Sequence, residues 1–404
     1  MIYVFYFFAA VLVFLGCKSL RGGINYLEFF RRELAKPKSD YTPFCSVIVP
    51  CRGVDEDLRE NLSALFRQDF PDYEIVFVVD DDRDESVLII KNLIAVLTNP
   101  EKFVLAKLIV AGKTIDESQK VHNLRRAVLE VRAQSKVFVF VDSDARPGED
   151  WLKNLVAPLQ DESIGCATGY RWFVQKRGGF STHLRSVWNA SIASALGANR
   201  ASNFCWGGSL AVRRETFERL NVREKWRGTL SDDFAVTRAM KEAKLPIRFV
   251  PQCLTATVED CTFKEFLEFS TRQMKITRVY AAPLWKASLI GSFLFSAIFW
   301  TGVVLLFLFS GIHFWLTLIF LLLIFALGLG KAWLRLKAVK LVLKDYENEL
   351  NKQFLPQLTL WAITPLVYFY NCVGALFSRK IIWRGIEYQL KSATETVVLS
   401  TNKS

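Results

Sequence analysis

The chain has 404 residues, of which 51% are apolar and 14% aromatic, and its formal net charge is +12. So high an apolar fraction argues against a purely soluble protein and predicts membrane segments. The Lys and Arg residues lie mostly beside apolar segments, which favours an anionic membrane surface over a nucleic acid as the partner of this charge.

The chain begins with an apolar, uncharged stretch at residues 2–16. No small-residue cleavage site follows, so we expect a retained transmembrane anchor at residues 1–20 instead of a cleaved signal peptide. Basic residues come directly afterwards, which places the next domain, residues 21–284, in the cytoplasm. We therefore expect a multi-pass protein of a bacterial inner membrane or its equivalent.

Strand patterns and helix patterns alternate from residue 44 onward. This alternation predicts an α/β domain with a Rossmann-like, mostly parallel sheet. Neither a GxGxxG nor a GxxxxGKS motif occurs, so a phosphate site here would depend on carboxylates and a metal instead of a glycine loop. The predicted elements are a strand at 45–50, a strand that begins at residue 73 and ends in the acids at 80–82, a strand near 103–110, and helices at 58–68 and about 85–98.

Acidic residues follow two of the predicted strands. Asp80 and Asp81 end one of them, and Asp142 and Asp144 follow the buried run at 137–141. The carboxyl ends of parallel strands share one edge of a sheet, where ligands bind. Paired hard oxygen ligands suit Mg²⁺ or Mn²⁺ bridging a diphosphate, although solvated acids at a strand end are the simpler interpretation.

Two further features indicate a ligand site. Lys120 opens a predicted helix at 118–128, where it could reach a nucleotide or remain solvated. Trp206 precedes Gly207 and Gly208, a pattern that lets backbone approach a ligand closely and an aromatic ring stack on a sugar. A plain turn with a core tryptophan would look the same.

Charged residues on two later helices complete the candidates. Asp232 and Asp233 start a predicted helix at 230–241, where they either favour the helix dipole or supply a catalytic base. Arg272, Gln273 and Arg278 lie in the segment before the apolar C-terminal part. The two arginines suit neutralisation of a departing diphosphate or contact with lipid headgroups.

The C-terminal part is largely apolar. Two stretches of spanning length predict a transmembrane hairpin at 285–331, and alternating apolar and basic positions predict an interfacial amphipathic helix at 332–354. The remainder, 355–404, is expected to hold a re-entrant or transmembrane segment and a basic tail. We favour re-entry, because basic residues flank both of its ends.

These features together resemble a membrane-bound family 2-type glycosyltransferase, especially the ceramide glucosyltransferase group and bacterial lipid glucosyltransferases. Nearly the whole chain takes part, with three acidic sites and then a QxxRW-like motif, which here lacks its tryptophan. The resemblance implies a GT-A catalytic domain. The residues that it implies are Pro50, Arg52, Gly53, Asp80, Asp81 and Lys120 on the nucleotide, Asp142 and Asp144 on the metal and diphosphate, Trp206, Gly207 and Gly208 on the acceptor side, Asp233 as the catalytic base beside Asp232, and Arg272, Gln273 and Arg278 in the basic motif.

The hypothesis from the sequence is inverting transfer of a hexose, most readily glucose, from a UDP-sugar to a hydroxyl of a membrane lipid, with Mg²⁺ or Mn²⁺. Its partners are the UDP-sugar, the lipid and the bilayer, without nucleic acid. Three alternatives stay open, and one of them is a membrane scaffold whose acids are only solvated and which would bind no nucleotide. A polysaccharide synthase-like processive transferase would need more spans for its channel, and a non-catalytic membrane protein that binds a nucleotide-sugar would release no sugar.

Overall fold

The computed structural model describes residues 2–98 and 104–401, and the chain divides into two compact units. We call residues 1–32, 173–194 and 258–378 the helical unit, and residues 33–172, 195–257 and 379–404 the sheet unit. Within the range 21–284 that the sequence analysis assigns to one domain, residues 21–32, 173–194 and 258–284 lie in the helical unit. The last residues of the chain rejoin the sheet unit.

The elements are named in chain order. The strands are β1 (Cys45–Pro50), β2 (Tyr73–Val79), β3 (Val104–Val110), β4 (Val137–Phe140), β5 (Cys166–Val174), β6 (Leu210–Arg213), β7 (Ile247–Val258), β8 (Lys380–Trp383), β9 (Ile386–Ser392) and β10 (Glu395–Thr401). The α-helices are α1 (Ile2–Leu34), α2 (Leu58–Leu65), α3 (Ser86–Leu97), α4 (Gln119–Ala127), α5 (Trp151–Val156), α6 (Phe180–Ala193), α7 (Arg214–Arg219), α8 (Val222–Lys225), α9 (Asp232–Glu242), α10 (Phe263–Tyr280), α11 (Ala282–Leu308), α12 (Gly311–Lys340), α13 (Glu347–Lys352), α14 (Phe354–Thr359) and α15 (Thr364–Phe377).

The main sheet is mostly parallel, as the alternation of strands and helices predicts. Its described strands lie in the order β3-β2-β1-β4-β6-β5-β7. Strands β1 to β4 pair in parallel, whereas β6 runs antiparallel to β4 and β5. Every residue of β2 and β4 is buried, which explains why β4 is a continuous apolar run and why β2 is apolar except for Glu74.

Helices α4 and α9 pack in one core cluster with β1, β2 and β4. Leu124 of α4 and Val236 of α9 join Phe140 of β4 in this cluster. The ring of Phe140 also meets the buried Trp226 edge to face, with centroids 5.4 Å apart. Because α4 and α9 share this core, their N-terminal residues can meet beside the residues that follow β4.

The sheet unit also contains a three-stranded antiparallel sheet, which we call the small sheet. Its described strands lie in the order β10-β9-β8. Residues 380–401, which the sequence analysis expected to belong to a basic tail, form β8, β9 and β10. Ile381, Ile386, Tyr388 and Leu390 are each at most 4% exposed, so these strands carry a buried face that supports them. The turn between β8 and β9 is only two residues long.

The helical unit contains the apolar helices. Among the described residues three helices, α1, α11 and α12, are long and apolar enough to span a membrane. The segment containing α14 and the segment containing α15 are bent by 56° at a short break, as in a broken span or a re-entrant loop. Within the range 332–354, for which the sequence analysis expects an interfacial amphipathic helix, α12 continues to Lys340 and α13 begins at Glu347.

Candidate functional site

Lys120 joins two of the acidic motifs in the sheet unit. Its ammonium nitrogen lies 2.7 Å from an oxygen of Asp142 and 3.1 Å from an oxygen of Asp232. Asp142 lies two residues after the end of β4, and Asp232 and Lys120 lie in the first turns of α9 and α4. The structure therefore brings together three of the residues that the sequence analysis selected.

Hydrogen bonds between the segments before α4 and α9 explain this meeting. The Ser118 hydroxyl donates to the Leu230 carbonyl at 2.7 Å, and the Ser118 amide donates to the Thr229 carbonyl at 3.0 Å. Ser118 also caps α4, since its side-chain oxygen accepts from the Val121 amide. The indole of Trp226 donates to the Asp232 carbonyl at 3.0 Å, which fixes the start of α9.

The three charges have unequal titration behaviour. Burial lowers the pKa of Lys120, but the Asp142 and Asp232 carboxylates outweigh burial and raise it. Burial likewise works against Asp142, yet Lys120 holds the pKa of that carboxyl below its usual range. Burial raises the pKa of Asp232 to about 6 despite Lys120, with help from the Asp233 and Asp142 carboxylates. Oδ2 of Asp232 is buried without a hydrogen-bond partner among the described residues.

Gly207 and Gly208 are required by close packing. A Cβ at residue 207 would lie 2.1 Å from Oδ2 of Asp232 and 3.0 Å from the Lys120 nitrogen. A Cβ at residue 208 would lie 2.2 Å from the Trp206 ring. The sequence analysis predicted that the backbone here approaches a ligand closely. In the structure the backbone of these glycines lies close to the side chains of Asp232, Lys120 and Trp206.

Trp206 supports an arginine that the sequence analysis did not select. The tryptophan is only 6% exposed, so it offers little ring surface to a sugar. The guanidinium of Arg171 lies 5.5 Å from the Trp206 ring centroid, and Nη1 of Arg171 lies 3.5 Å from Oδ2 of Asp144. The tryptophan therefore orients Arg171, and Arg171 contacts the second carboxylate of the Asp142–Asp144 pair.

Asp233 differs from Asp232 in exposure and in hydrogen bonding. It is partly exposed, whereas Asp232 is 3% exposed. Its described hydrogen bonds both fall on Oδ1, which accepts from the Ser231 hydroxyl and, at 2.7 Å, from the Phe234 amide. These two bonds fix the orientation of the Asp233 carboxylate.

The residues after β1 pair with those after β2. Arg52 forms an ion pair with the buried Asp80, and the Cys51 amide donates to the Val78 carbonyl at 2.9 Å. Pro50, the last residue of β1, pairs in register with Val78. The loop after β1 is therefore held at the edge of the sheet where Asp80 lies.

Asp81 and Gly53 have other partners. Asp81 pairs with Arg83 and Lys113, each at 3.1 Å, and the hydrogen bonds from Arg83 hold the pKa of Asp81 far below its usual range. The Gly53 amide donates to Asp84 at 2.9 Å. Asp84 shapes this loop, although the sequence analysis did not select it.

Arg384 is the largest omission from the sequence-based set. It lies in the turn between β8 and β9 and pairs with Asp55, with Nη2 2.6 Å from Oδ2. Partial desolvation lowers the pKa of Arg384, but Asp55, and after it Asp144 and Asp142, raise it above the ordinary value. The sequence feature that could have indicated this turn is the Arg-Gly pair between two short segments of alternating apolar and polar residues. Such a pattern predicts a β-hairpin only weakly.

The basic residues of α10 lie in the helical unit. Arg278 donates to the carbonyls of Ala375 and Leu376 at the end of α15, and its guanidinium lies 5.6 Å from the Trp285 ring centroid. These contacts give Arg278 a helix-capping role within the helical unit. Arg272 lies over the Phe269 ring, and Gln273 is the next residue of the same helix. Their part in catalysis stays a prediction.

The donor set for a metal consists of carboxylates. No three His, Cys, Asp or Glu side chains are grouped closely enough to hold a metal by themselves within residues 2–98 and 104–401. Asp142 and Asp144 supply two hard oxygen ligands, and Mg²⁺ is commonly held by one or two carboxylates together with substrate phosphates. These residues fit a cation whose other ligands come from a diphosphate and water.

Several known proteins resemble this chain. Ceramide glucosyltransferase 1 of Caenorhabditis elegans is 24% identical over 49% of this chain and 42% of its own, and ceramide glucosyltransferase 3 of that organism is 30% identical over 30% and 26%. The chain thus spans less than half the length of these curated relatives. A mannosyltransferase of Pyrobaculum calidifontis, solved with GDP-Man and Mn²⁺, has a TM-score of 0.45 at 18% identity, covering 92% of this chain and 99% of that one.

A family model decides the assignment. The model described as glycosyl transferase family 21 matches residues 3–396, which is nearly the whole chain. The matched range includes the apolar helices, the main sheet and the ionic cluster of Lys120, Asp142 and Asp232, which we call the Lys120 cluster. The chain therefore belongs to glycosyl transferase family 21.

Proposed function

We propose that the protein transfers a hexose, with glucose the first candidate, from a UDP-sugar to a hydroxyl of a membrane lipid. The observation that carries this proposal is the position of Lys120 between Asp142 and Asp232. This contact joins the acids after β4 to the acids that start α9, and it places Asp233 next to the same cluster. Family membership and the relatedness to ceramide glucosyltransferases support the choice of reaction.

Each group has a distinct role in the proposed reaction. Asp142 and Asp144 would hold Mg²⁺ or Mn²⁺ together with the diphosphate, and such a cation would supply charge neutralisation for the leaving group. Asp233 accepts the proton of the lipid hydroxyl as its oxygen forms a bond to the anomeric carbon. The bond from that carbon to the diphosphate breaks, and the electron pair leaves with UDP. One displacement inverts the configuration at the anomeric carbon.

Lys120 and the buried Asp232 orient these groups. The Lys120 ammonium lowers the pKa of Asp142 and so favours the ionised carboxylate. The apolar helices keep the protein at the bilayer, so a lipid can present its headgroup without leaving the membrane. By the positive-inside rule, the donor site faces the cytoplasm.

The test uses the full chain in detergent with labelled UDP-sugars and a total lipid extract, and mass spectrometry identifies the products. Wild-type protein should form a glycolipid only with Mg²⁺ or Mn²⁺, and Asp233→Asn should lower kcat by about 10²- to 10⁴-fold because the general base is lost. Asp69→Asn, which changes an exposed carboxylate, serves as the matched control. Near-normal turnover of Asp233→Asn would remove Asp233 from this role. Metal-dependent UDP binding without any sugar transfer would identify a binding protein instead.

A further inference from the structure

The turn that holds Arg384 has an unusual backbone for its residue type. Trp383 pairs with Ile386, so Arg384 and Gly385 alone connect β8 to β9. Both residues have positive φ, 50° and 73°, as a type I′ turn requires. Asn-Gly is the preferred pair for such a turn, and an arginine in the left-handed region is disfavoured. A disfavoured residue held by its surroundings is a pointer to function.

Both the backbone and the side chain of Arg384 engage the edge of the main sheet. Its guanidinium makes two parallel contacts with the Asp55 carboxylate, and its carbonyl oxygen accepts from Nε of Arg52 at 3.0 Å. Arg52 in turn pairs with Asp80 after β2. The turn is thus fixed to the two loops that the sequence analysis assigned to the nucleotide.

The rest of the small sheet is anchored to the same unit. The Tyr388 hydroxyl of β9 accepts from the Gln119 amide at 3.2 Å, one residue before Lys120, and the Val398 amide of β10 donates to the Ile115 carbonyl at 3.0 Å. Tyr388 is only 2% exposed, whereas 36% of the Arg384 side chain is exposed. A rigid sheet therefore presents an accessible guanidinium.

We propose that Arg384 binds the diphosphate of the nucleotide-sugar and that Asp55 holds its guanidinium in place before the donor arrives. This inference rests on the proposed function. The planar guanidinium matches phosphate oxygens with two parallel hydrogen bonds, as it now matches the Asp55 carboxylate. When the bond to the anomeric carbon breaks, the electron pair moves to the leaving phosphate oxygen, and Arg384 donates hydrogen bonds to it without losing a proton. Arg384, a residue of the sheet unit, would thus act on the same diphosphate charge for which the sequence analysis suggested Arg272 and Arg278.

The experiment compares two variants that break the same ion pair. Arg384→Asn removes the guanidinium and installs the residue preferred in this turn, so the hairpin should stay folded. Asp55→Asn removes the other partner and leaves the arginine. Calorimetric titration with UDP and with UMP, both in the presence of Mn²⁺, measures diphosphate recognition, and steady-state transfer measures kcat.

For Arg384→Asn we expect kcat to fall by about 100-fold, because one preorganised donor to the developing charge is lost. Its affinity for UDP should fall towards that for UMP. Asp55→Asn should lose much less of either quantity, and thermal unfolding should show both variants folded. Equal losses in the two variants would overturn the inference, because they would show that the pair is only structural. Unchanged UDP affinity in Arg384→Asn would overturn it as well.

The wild-type control separates this inference from the proposed function. If wild-type protein shows no Mn²⁺-dependent UDP binding, the proposed function fails. If wild-type protein binds UDP and transfers sugar while Arg384→Asn does so equally well, only the role of Arg384 fails.

Discussion

A single nitrogen atom of Lys120 connects two acidic motifs of the candidate site. Its ammonium replaces water for two carboxylates that are distant in the sequence. Burying an unpaired charge costs free energy of folding, so the loss of any one of these three charged groups should destabilise the other two. Gly207 belongs to this arrangement because its lack of a side chain leaves room for Asp232 and Lys120.

Gly207→Ala should therefore damage the cluster directly. The added Cβ would overlap Oδ2 of Asp232, so we expect a loss of about 1 to 3 kcal/mol in the free energy of unfolding. Displacement of Asp232 by even 1 Å should lower sugar transfer by about 10²-fold. Gly197→Ala is the control, since a Cβ there has no neighbour within 4 Å in the described structure. Equal activity of the two variants would contradict this account.

Glu117 gives a prediction of pH dependence. Burial raises the pKa of this carboxyl, but hydrogen bonds from His122, Arg125 and the Gly228 amide outweigh burial and hold it below its usual range. Because the pKa is lower in the folded state, the stabilisation is present above the pKa of the unfolded chain and is lost as the pH falls through the folded-state value.

Glu117→Gln should accordingly lower the free energy of unfolding at pH 7 by about 2 kcal/mol. The difference from wild-type protein should shrink as the pH falls below the ordinary glutamate pKa of about 4.3. Thermal unfolding of both proteins across this range measures it. A difference that stays constant with pH would indicate lost packing instead of lost charge.

At the level of elements, the main sheet was predictable and the small sheet was not. The buried strand β4 is a continuous apolar run, β2 is apolar except for Glu74, and the acids after both strands mark the strand ends. Strands β8 and β9 follow an apolar helix directly, and Arg-Gly is not one of the strong turn signals. The sequence therefore revealed Lys120, Asp142 and Asp232, whereas Asp55 and Arg384 depend on long-range contacts that local patterns do not carry.

Tyr388→Phe tests whether the small sheet supports α4. The variant removes the acceptor of the Gln119 amide, which we expect to cost about 1 to 2 kcal/mol of folding free energy. The KM for the donor should rise, because Lys120 follows Gln119 directly. Tyr370→Phe, at a position that is 58% exposed, should stay within about 0.5 kcal/mol of wild-type stability. A donor KM identical to that of wild-type protein would refute this coupling.

For the whole molecule, the apolar helices predict membrane insertion with a defined orientation. If α1, α11 and α12 each cross the bilayer, the α11–α12 turn lies on the side opposite the sheet unit. This consequence follows from the order of the helices along the chain and needs no contact between the units. The bent segment containing α14 and α15 stays a prediction of re-entry.

Cysteine labelling measures this orientation. In a Cys17→Ser background, an impermeant maleimide should label Asp69→Cys only from the cytoplasmic side, and Ser310→Cys only from the other side. The protein should also remain with the membrane in high salt, because its attachment is apolar and unscreened by ions. Labelling of both positions from one side would refute three crossings.

The small sheet has a consequence for biosynthesis. Arg384 and Tyr388 come after α15 in the sequence, so the ribosome translates them only after all the described apolar helices. On the proposed function, a nascent chain therefore lacks its diphosphate-binding arginine throughout its insertion. We expect a premature stop codon or a proteolytic cut just past α15 to leave an inserted protein without Arg384 and without the strands that support α4, and hence without affinity for a nucleotide-sugar.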